Sequence, residues 1–438
     1  MQLGLRKIRR DLGWRLRWQQ ARWARARSKA IFVGVTGSSG KSTSASLLGH
    51  IMGAKGKVHM QVEANTIVAL VRTLYKRLRR SGKVDYVVFE AGASDFGTIE
   101  TMAQMLRPDV ALVTMIRLEH VGKFRTLEAV AQEKRALVDA LRPDGIAVLN
   151  CDDPLVLAMA SGAKCRIATF GQSEDADYRV TDVHAAYPEL LRFSLHWRGG
   201  VLDVRTPFPG EQFWLPTAAA IAAALELGVP PEKVAARVAS FEPLPNRCKV
   251  EAIEGGPLFF VDTAKAPWHS LHIALDMMAK AEAARKRIVL GQISDYAGSS
   301  RKYGTAYGIA RNIADEVIYT GDNAHRSRAS QADRDSGRFV ELRTPKEVSD
   351  HIRRTAVPGE LILLKSSSNL HLERIALAWT HEVRCWIPAC GKKESCQACG
   401  LYEVPFEEHE SFIASRRLER RRRRFGWLLG GLSLTRRS

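Results

Sequence analysis

Residues 37–43, Gly-Ser-Ser-Gly-Lys-Ser-Thr, are of the types needed to hold a phosphate. Gly37 and Gly40 permit backbone conformations that turn successive N–H groups toward one anion. A helix starting just after them adds unsatisfied amides and the positive end of its dipole at the same point. Lys41 can then neutralise terminal phosphates, while the Ser42 hydroxyl is placed to ligate Mg²⁺. The generic motif has four residues between its glycines, whereas five lie between Gly34 and Gly40. A chance Gly-Lys-Ser in a loop is the competing explanation, and strand-like and helix-like flanks argue against it. Glu90 closes an apolar run, where a carboxylate can share Mg²⁺ with Ser42 and phosphate oxygens or simply pair with an arginine. Read alone, His120 is a polar loop residue that could ligate a second cation, and Lys134 is a lysine on a helix face.

These groups need a parallel sheet to bring them together. Ile31–Val35, Tyr86–Phe89, Val110–Thr114 and Ile146–Leu149 read as buried strands, and Ser42–Met52, Thr98–Leu106 and Thr126–Leu141 as helices. Such alternation implies parallel strands with helical crossovers. Helices are expected at Thr217–Leu227 and Glu232–Ala239. The prolines of Phe241–Arg247 then prevent continued helix and suggest a hinge. A second α/β series follows, with strands Leu258–Val261, Arg287–Leu290, Val317–Tyr319 and Leu361–Leu364 and helices Ser270–Ala283, Pro345–Arg354 and Leu370–Trp379.

The chain has 438 residues, 45% hydrophobic and 26% charged, which excludes a disordered or collagen-like polymer. No apolar run approaches the roughly 18 residues needed to cross a bilayer. The basic N-terminus has no apolar core followed by a cleavage site, so a cytoplasmic location is expected. Residues 1–29 hold ten Lys/Arg against one Asp, and residues 416–438 hold nine Arg against one Glu. The two ends thus carry +17 of the formal +19, and the body between them is nearly neutral. A nucleic-acid-binding core is therefore not implied by the charge.

The phosphate run, Gly34-Val-Thr-Gly-Ser-Ser-Gly-Lys-Ser-Thr43, resembles that of the Mur ligase family, which joins carboxylic acids to amines through an acyl phosphate. Glu90-Ala-Gly-Ala-Ser-Asp-Phe-Gly97 is similar to the family's strand-end glutamate segment, and Leu112–His120 to its histidine segment. Ala131-Gln-Glu-Lys134 ahead of Asp144–Asp153 is similar to its lysine helix and following strand. The resemblance runs in order over about residues 31–380 and is nearest the D-alanyl-D-alanine-adding branch. It implies a P-loop-type parallel-sheet central domain over 31–245 and a Rossmann-like C-terminal α/β domain over 246–380. It further implies that Thr36, Gly37, Ser38, Ser39, Gly40, Lys41, Ser42, Thr43, Asn150, Arg247 and Asp262 bind ATP, and that Ser42, Glu90 and His120 hold Mg²⁺. Lys41, His120, Lys134, Arg247 and Lys265 become candidate catalytic groups, with Lys134 matching a lysine often carbamylated in the family. Lys365-Ser-Ser-Ser resembles a late segment near the acceptor, although an exposed loop lysine would read the same. The sequence departs from the family at Met115, Gln212, Pro216 and Lys265. Only thirty residues precede the strand that leads into the phosphate run, so a UDP-muramoyl substrate is not expected.

Two appendages complete the reading. Cys385, Cys390, Cys396 and Cys399 offer four thiolates, and in a chain of seven cysteines this spacing suits a structural Zn²⁺ over 381–410, with free thiols or a redox pair as alternatives. His381 or His409 could replace one ligand. The basic arm (1–30) interleaves its cations with Leu3, Leu5, Ile8, Leu12, Trp14, Leu16, Trp18 and Trp23, and the basic tail (411–438) pairs Arg420–Arg424 with Phe425 and Trp427. Such ends suit an anionic membrane surface, which would make the chain peripheral on its inner face. Nucleic acid, or packing of the arm on its own protein, is the alternative. The expected activity is an ATP-dependent carboxylate–amine ligase whose acceptor is polymeric or lipid-linked. A non-ligating nucleotide-binding scaffold and a nucleic-acid-associated ATPase remain as other readings.

Overall fold

The computed structural model describes residues 2–80, 84–119, 122–294 and 299–430, and their side chains except at 2–11, 77–80 and 420–430. The chain forms two compact units. One runs to Leu244 and includes His272–Glu282; the other comprises Pro245–Leu271 and the chain from Ala283 onward.

The first unit contains α1 (Gln2–Arg27), β1 (Ile31–Thr36), α2 (Lys41–Met52), β2 (Val58–Gln61), α3 (Ile67–Arg80), β3 (Tyr86–Glu90), α4 (Thr98–Leu106) and β4 (Val110–Val113). It continues through α5 (Leu127–Asp139), β5 (Ile146–Asn150), α6 (Pro154–Leu157), β6 (Arg166–Gly171), β7 (Tyr178–Ala186), β8 (Glu189–Trp197), β9 (Gly200–Arg205), α7 (Trp214–Glu226) and α8 (Pro231–Ala239). Its sheet has the order β2-β3-β1-β4-β5-β6-β7-β8-β9, parallel as far as β7 and antiparallel beyond. The central strands are apolar on both faces because helices cover both. Phe32, Phe89, Val113 and Leu149 pack with Leu70, Ile99 and Leu137 in one core. In α7, residues 218–220 and 222–224 are all alanines and all buried, and small side chains let a helix approach its neighbours closely.

The basic arm is a helix that packs on this unit. Trp14 and Trp18 lie against the core, and Ala21 is fully buried. Arg25 donates from Nε to the Leu106 carbonyl (2.6 Å) and from Nη2 to the Arg107 carbonyl (2.5 Å), and its guanidinium lies 3.8 Å from the Phe32 ring centre. Packing on its own protein thus accounts for one face of α1. Leu3, Leu5 and Ile8 have side chains outside the described set, as do Arg420–Arg424, Phe425 and Trp427.

The second unit contains β10 (Lys249–Ala252), β11 (Leu258–Asp262), the start of α9 (Trp268–Lys280), β12 (Lys286–Leu290), α10 (Ser300–Ala310), β13 (Glu316–Thr320), α11 (Gln331–Asp335) and β14 (Phe339–Leu342). After α12 (Pro345–Thr355), β15 (Leu361–Lys365) and α13 (Glu373–Leu377) come α14 (Cys396–Cys399) and α15 (His409–Gly430). The sheet order is β10-β11-β15-β12-β13-β14, antiparallel only at β10. Arg287, fully buried, pairs with Glu316 (2.8 Å) and Glu360 (3.0 Å). A buried Arg374 ties the cysteine appendage to this unit. It donates to the carbonyls of Leu370 (2.9 Å) and His371 (3.1 Å) on one side and of Cys385 (2.6 Å) and Ile387 (3.0 Å) on the other.

Three features differ from the sequence expectation. The expected helix Leu370–Trp379 is a 3₁₀ turn followed by the five-residue α13, because His371 takes φ 49° and interrupts it. The antiparallel ribbon β7–β9 and the amphipathic α3 were not anticipated. Lys365 is the last residue of β15 and is 2% exposed, so the exposed-loop reading is wrong.

Candidate nucleotide and ligation site

In an open parallel sheet, ligands bind beyond the carboxyl ends of the strands, where the strand order reverses. Here β1 lies between β3 and β4, and the phosphate run follows it directly. Gly37 has φ 141° and Gly40 φ 79°, so both need the freedom of glycine. A Cβ at Gly37 would sit 1.9 Å from the Thr114 Oγ1. The loop is held from outside: the Ser38 N–H donates to the Met115 carbonyl (2.7 Å), and the Thr114 hydroxyl to the Ser39 carbonyl (2.5 Å). Gly40 caps α2 without a side chain, leaving that helix start to serve an anion.

The side chains around the cradle converge. The Ser42 hydroxyl donates to Glu90 Oε2 at 2.9 Å, and both residues are buried. Glu90 also accepts from the Glu63 N–H (2.9 Å) and the Asn65 amide (3.1 Å). Lys41 reaches the Gly37 carbonyl at 2.5 Å and lies 3.9 Å from Glu119. Lys134, entirely buried, pairs with Glu119 Oε1 at 2.5 Å. A solvated face lysine is thereby overturned: α5 turns Lys134 inward. Asn150, at the end of β5, donates to the Thr114 carbonyl (2.8 Å), and Thr36 donates to the Ala91 carbonyl (2.9 Å). Thr43 is buried on the first turn of α2. His120 lies outside the described residues.

In the second unit, Asp262 ends β11 in register with Lys365, whose ammonium contacts its Oδ2 at 2.5 Å and the Lys265 carbonyl at 2.9 Å. The Lys265 side chain is exposed. Arg247 stands between Asn246 (φ 61°) and Cys248 (φ 53°). Two left-handed non-glycine residues flanking one arginine are costly, and such strain collects at functional sites. Burial pushes the Cys248 thiol well up, and neighbouring Asp262 adds to the shift, so this sulfur is no thiolate nucleophile. Gln212 contacts Met277 Sδ at 3.7 Å, and the Pro216 carbonyl accepts from Ser44 (3.2 Å).

Glu119, Asn65 and Thr114 were not singled out from sequence. Glu119 had a signal, an acid beside a candidate histidine in the quoted segment. Asn65 and Thr114 had none beyond their polarity.

A glycine cradle at the carboxyl edge of a parallel sheet, with a serine and a strand-end glutamate in contact beside it, defines a P-loop nucleotide-binding protein. The Mur ligase middle domain family matches residues 35–224. The UDP-N-acetylmuramoyl-tripeptide–D-alanyl-D-alanine ligase of Bacillus subtilis (strain 168) is 25% identical over 348 residues, which cover 78% of this chain and 74% of that protein. The like-named enzyme of Mycobacterium tuberculosis (strain H37Rv) is 29% identical over 270 residues, 60% of this chain and 52% of its own. A crystal structure of MurF from Acinetobacter baumannii aligns with TM-score 0.75 at 23% identity, covering 83% of this chain and 79% of that one. MurF from Thermotoga maritima in complex with ADP aligns with TM-score 0.70 at 21% identity, covering 83% and 82%. The two solved structures establish the fold. The family match spans residues 35–224, and similarity to the Bacillus subtilis ligase extends over 78% of the chain. The expectation against a UDP-muramoyl substrate finds no support among these relatives, whose names carry that substrate.

Proposed function

We propose that this chain activates a carboxylic acid as its acyl phosphate at the expense of ATP and passes the acyl group to an amine. The observation that carries this reading is the Ser42–Glu90 contact at the mouth of the glycine cradle, with the buried Lys134–Glu119 pair behind Lys41. A hydroxyl and a carboxylate are the hard oxygen donors that Mg²⁺ prefers, and Ser42 and Glu90 would hold it. When bound, Mg²⁺ supplies positive charge to the phosphate oxygens. Lys41 adds charge to the phosphoryl group in transit, and the loop amides orient it. The acid's carboxylate oxygen bonds to the γ-phosphorus as the bond to the β,γ-bridging oxygen breaks and ADP leaves. The amine then forms the C–N bond, loses one proton, and expels inorganic phosphate. We assign Arg247 to the phosphates, Asp262 to the ribose, Asn150 to the nucleotide and Lys265 to the acceptor side.

The test is ADP release by the full chain with paired acids and amines, including UDP-N-acetylmuramoyl tripeptide with D-alanyl-D-alanine. Amine-dependent ADP production supports the reading. Nucleotide binding without turnover on any pair overturns it in favour of a scaffold, and turnover driven by RNA or DNA in favour of a nucleic-acid ATPase.

One observation favours a second, compatible role for α1. Leu12, Leu16 and Trp23 are 60%, 61% and 56% exposed and share one helix face beside the exposed Arg15 and Arg22. Apolar side chains edged by arginine fit the interface of an anionic bilayer. No helix among the described residues is long and apolar enough to cross a membrane. Sedimentation with phosphatidylglycerol vesicles should fall when Leu12, Leu16 and Trp23 are changed to serine; equal sedimentation removes the role.

A further inference from the structure

Apart from the phosphate cradle, the second unit folds a small cavity around sulfur. Cys385, Cys390, Cys396 and Cys399 all line it, and His371 joins them from the turn before α13. All four thiols border this one cavity and form no disulfide. Cys396 and Cys399 are the first and last residues of α14, whose start is capped by Ser395 and whose end turns at Gly400 with φ 65°. That is a Cys-x-x-Cys turn built to aim two sulfurs at one point.

Two cations, Lys392 and Arg374, stand among the sulfurs, with Glu394 also on the cavity wall. Lys392 Nζ lies 2.8 Å from Cys399 Sγ, and Arg374 lines the cavity. His371 Nε2 lies 3.2 Å from Cys390 Sγ, while its Nδ1 lies 3.1 Å from Glu373 Oε1. Glu373, with His371 and Cys396, belongs to a group whose candidate ligand atoms lie within 4.8 Å of one another. Its carboxylate is already engaged: Oε1 accepts from the Cys396 N–H (3.1 Å) and faces His371, and Oε2 accepts from Thr263 (3.1 Å). Glu373 therefore orients the imidazole and the α14 backbone instead of serving as a ligand. The two histidines expected as spare ligands each have one ring nitrogen engaged elsewhere, although His409 also borders the cavity. His409 Nε2 donates to the Leu401 and Val404 carbonyls, and His381 contacts Thr380 and packs edge-on to Tyr402.

We propose that Cys385, Cys390, Cys396 and Cys399 bind one zinc ion as thiolates in a closed tetrahedral site, with His371 hydrogen-bonded to the Cys390 sulfur from outside. Four thiolates on Zn²⁺ leave a net charge of −2, which Lys392 and Arg374 offset, while Glu373 steers the His371 ring toward the Cys390 sulfur. Outer partners of this kind fix and tune sulfur ligands. With no open coordination position the ion is structural. It fastens the segment from Cys385 to Cys399 onto the second unit and sets where α15 begins. The inference does not depend on the ligase reading.

The test uses the full chain purified under reducing conditions without added metal. Elemental analysis should give one zinc per chain, and X-ray absorption should give four sulfur neighbours at about 2.3 Å. Cys396→Ser and Cys399→Ser should each lose at least nine-tenths of the zinc, whereas Cys165→Ser, outside the cluster, keeps it. His371→Gln should retain zinc at full stoichiometry but release it faster to a chelator. Release of zinc by a mercurial should open Lys392 and Lys393 to trypsin. Zinc-free protein with four fully reactive thiols overturns the proposal. So does a shell of three sulfurs and one nitrogen, or loss of zinc from His371→Gln as complete as from Cys396→Ser.

Discussion

Lys134 shows how much one buried charge depends on its neighbour. Its ammonium has no solvent exposure and rests on Glu119, which in turn faces Lys41. Lys134→Ala would strand the Glu119 carboxylate and let Lys41 shift toward it. We expect kcat for ADP release to fall about 10–100-fold, the range for losing a group that orients a ligand shell. Circular dichroism should stay native, since α5 keeps its apolar face. Gly37 is constrained differently, by space and by φ. Gly37→Ala drives a methyl into Thr114, and strain of about 1–3 kcal/mol at such a position predicts about a five- to 150-fold loss of ATP affinity. Equilibrium binding of a fluorescent ATP analogue measures it.

Among the elements, α1 is the one whose role changed most. Its inner face spaces Trp14, Trp18, Ala21 and Arg25 at i, i+4, i+7 and i+11, the repeat of a packed helix, but the density of arginine hid that stripe in the sequence. Arg25→Ala removes two charged hydrogen bonds to carbonyls and the contact with Phe32, and about 1.5–3 kcal/mol per such bond sets an upper range for the loss. Urea unfolding of the first unit should show a lower midpoint. The parallel strands were readable because burial on both faces makes them continuous apolar runs, as in Ile31–Val35 and Val110–Val113. For that reason Glu90 could be named at a strand end from sequence, whereas Ser42 came from the glycine-rich run, and Asn150 and Asp262 from the family resemblance. The ribbon β7–β9 carries a period of two, with Leu191, Phe193 and Leu195 inward, yet its outward arginines and histidines blur the signal. Glu119 and His371 were hidden because their significance comes from partners 15 and 19 residues away that only the fold supplies.

At the scale of the whole molecule, each unit has its own sheet and its own core. Multi-domain chains of this kind depart from two-state unfolding. The Arg287 network belongs entirely to the second unit, where Glu316 also meets Arg285 (3.1 Å) and His351 (2.5 Å). Arg287→Ala leaves Glu316 and Glu360 buried without their central partner, a loss of about 3–5 kcal/mol. Calorimetry should show one transition falling while the other, the one raised by added ATP, stays in place. A shift of both together would mean that the units unfold as one.

Arg374 has a consequence for protein engineering. Lysine could not replace it, because a single ammonium lacks the planar fork that serves carbonyls on two chain segments at once. Residues 381–409 carry every cysteine of the cluster, but Arg374, Glu373 and His371 precede them in the chain. Grafted alone onto a foreign scaffold, the stretch would bring the sulfur and leave its carbonyls unanswered. It is not a transferable cassette.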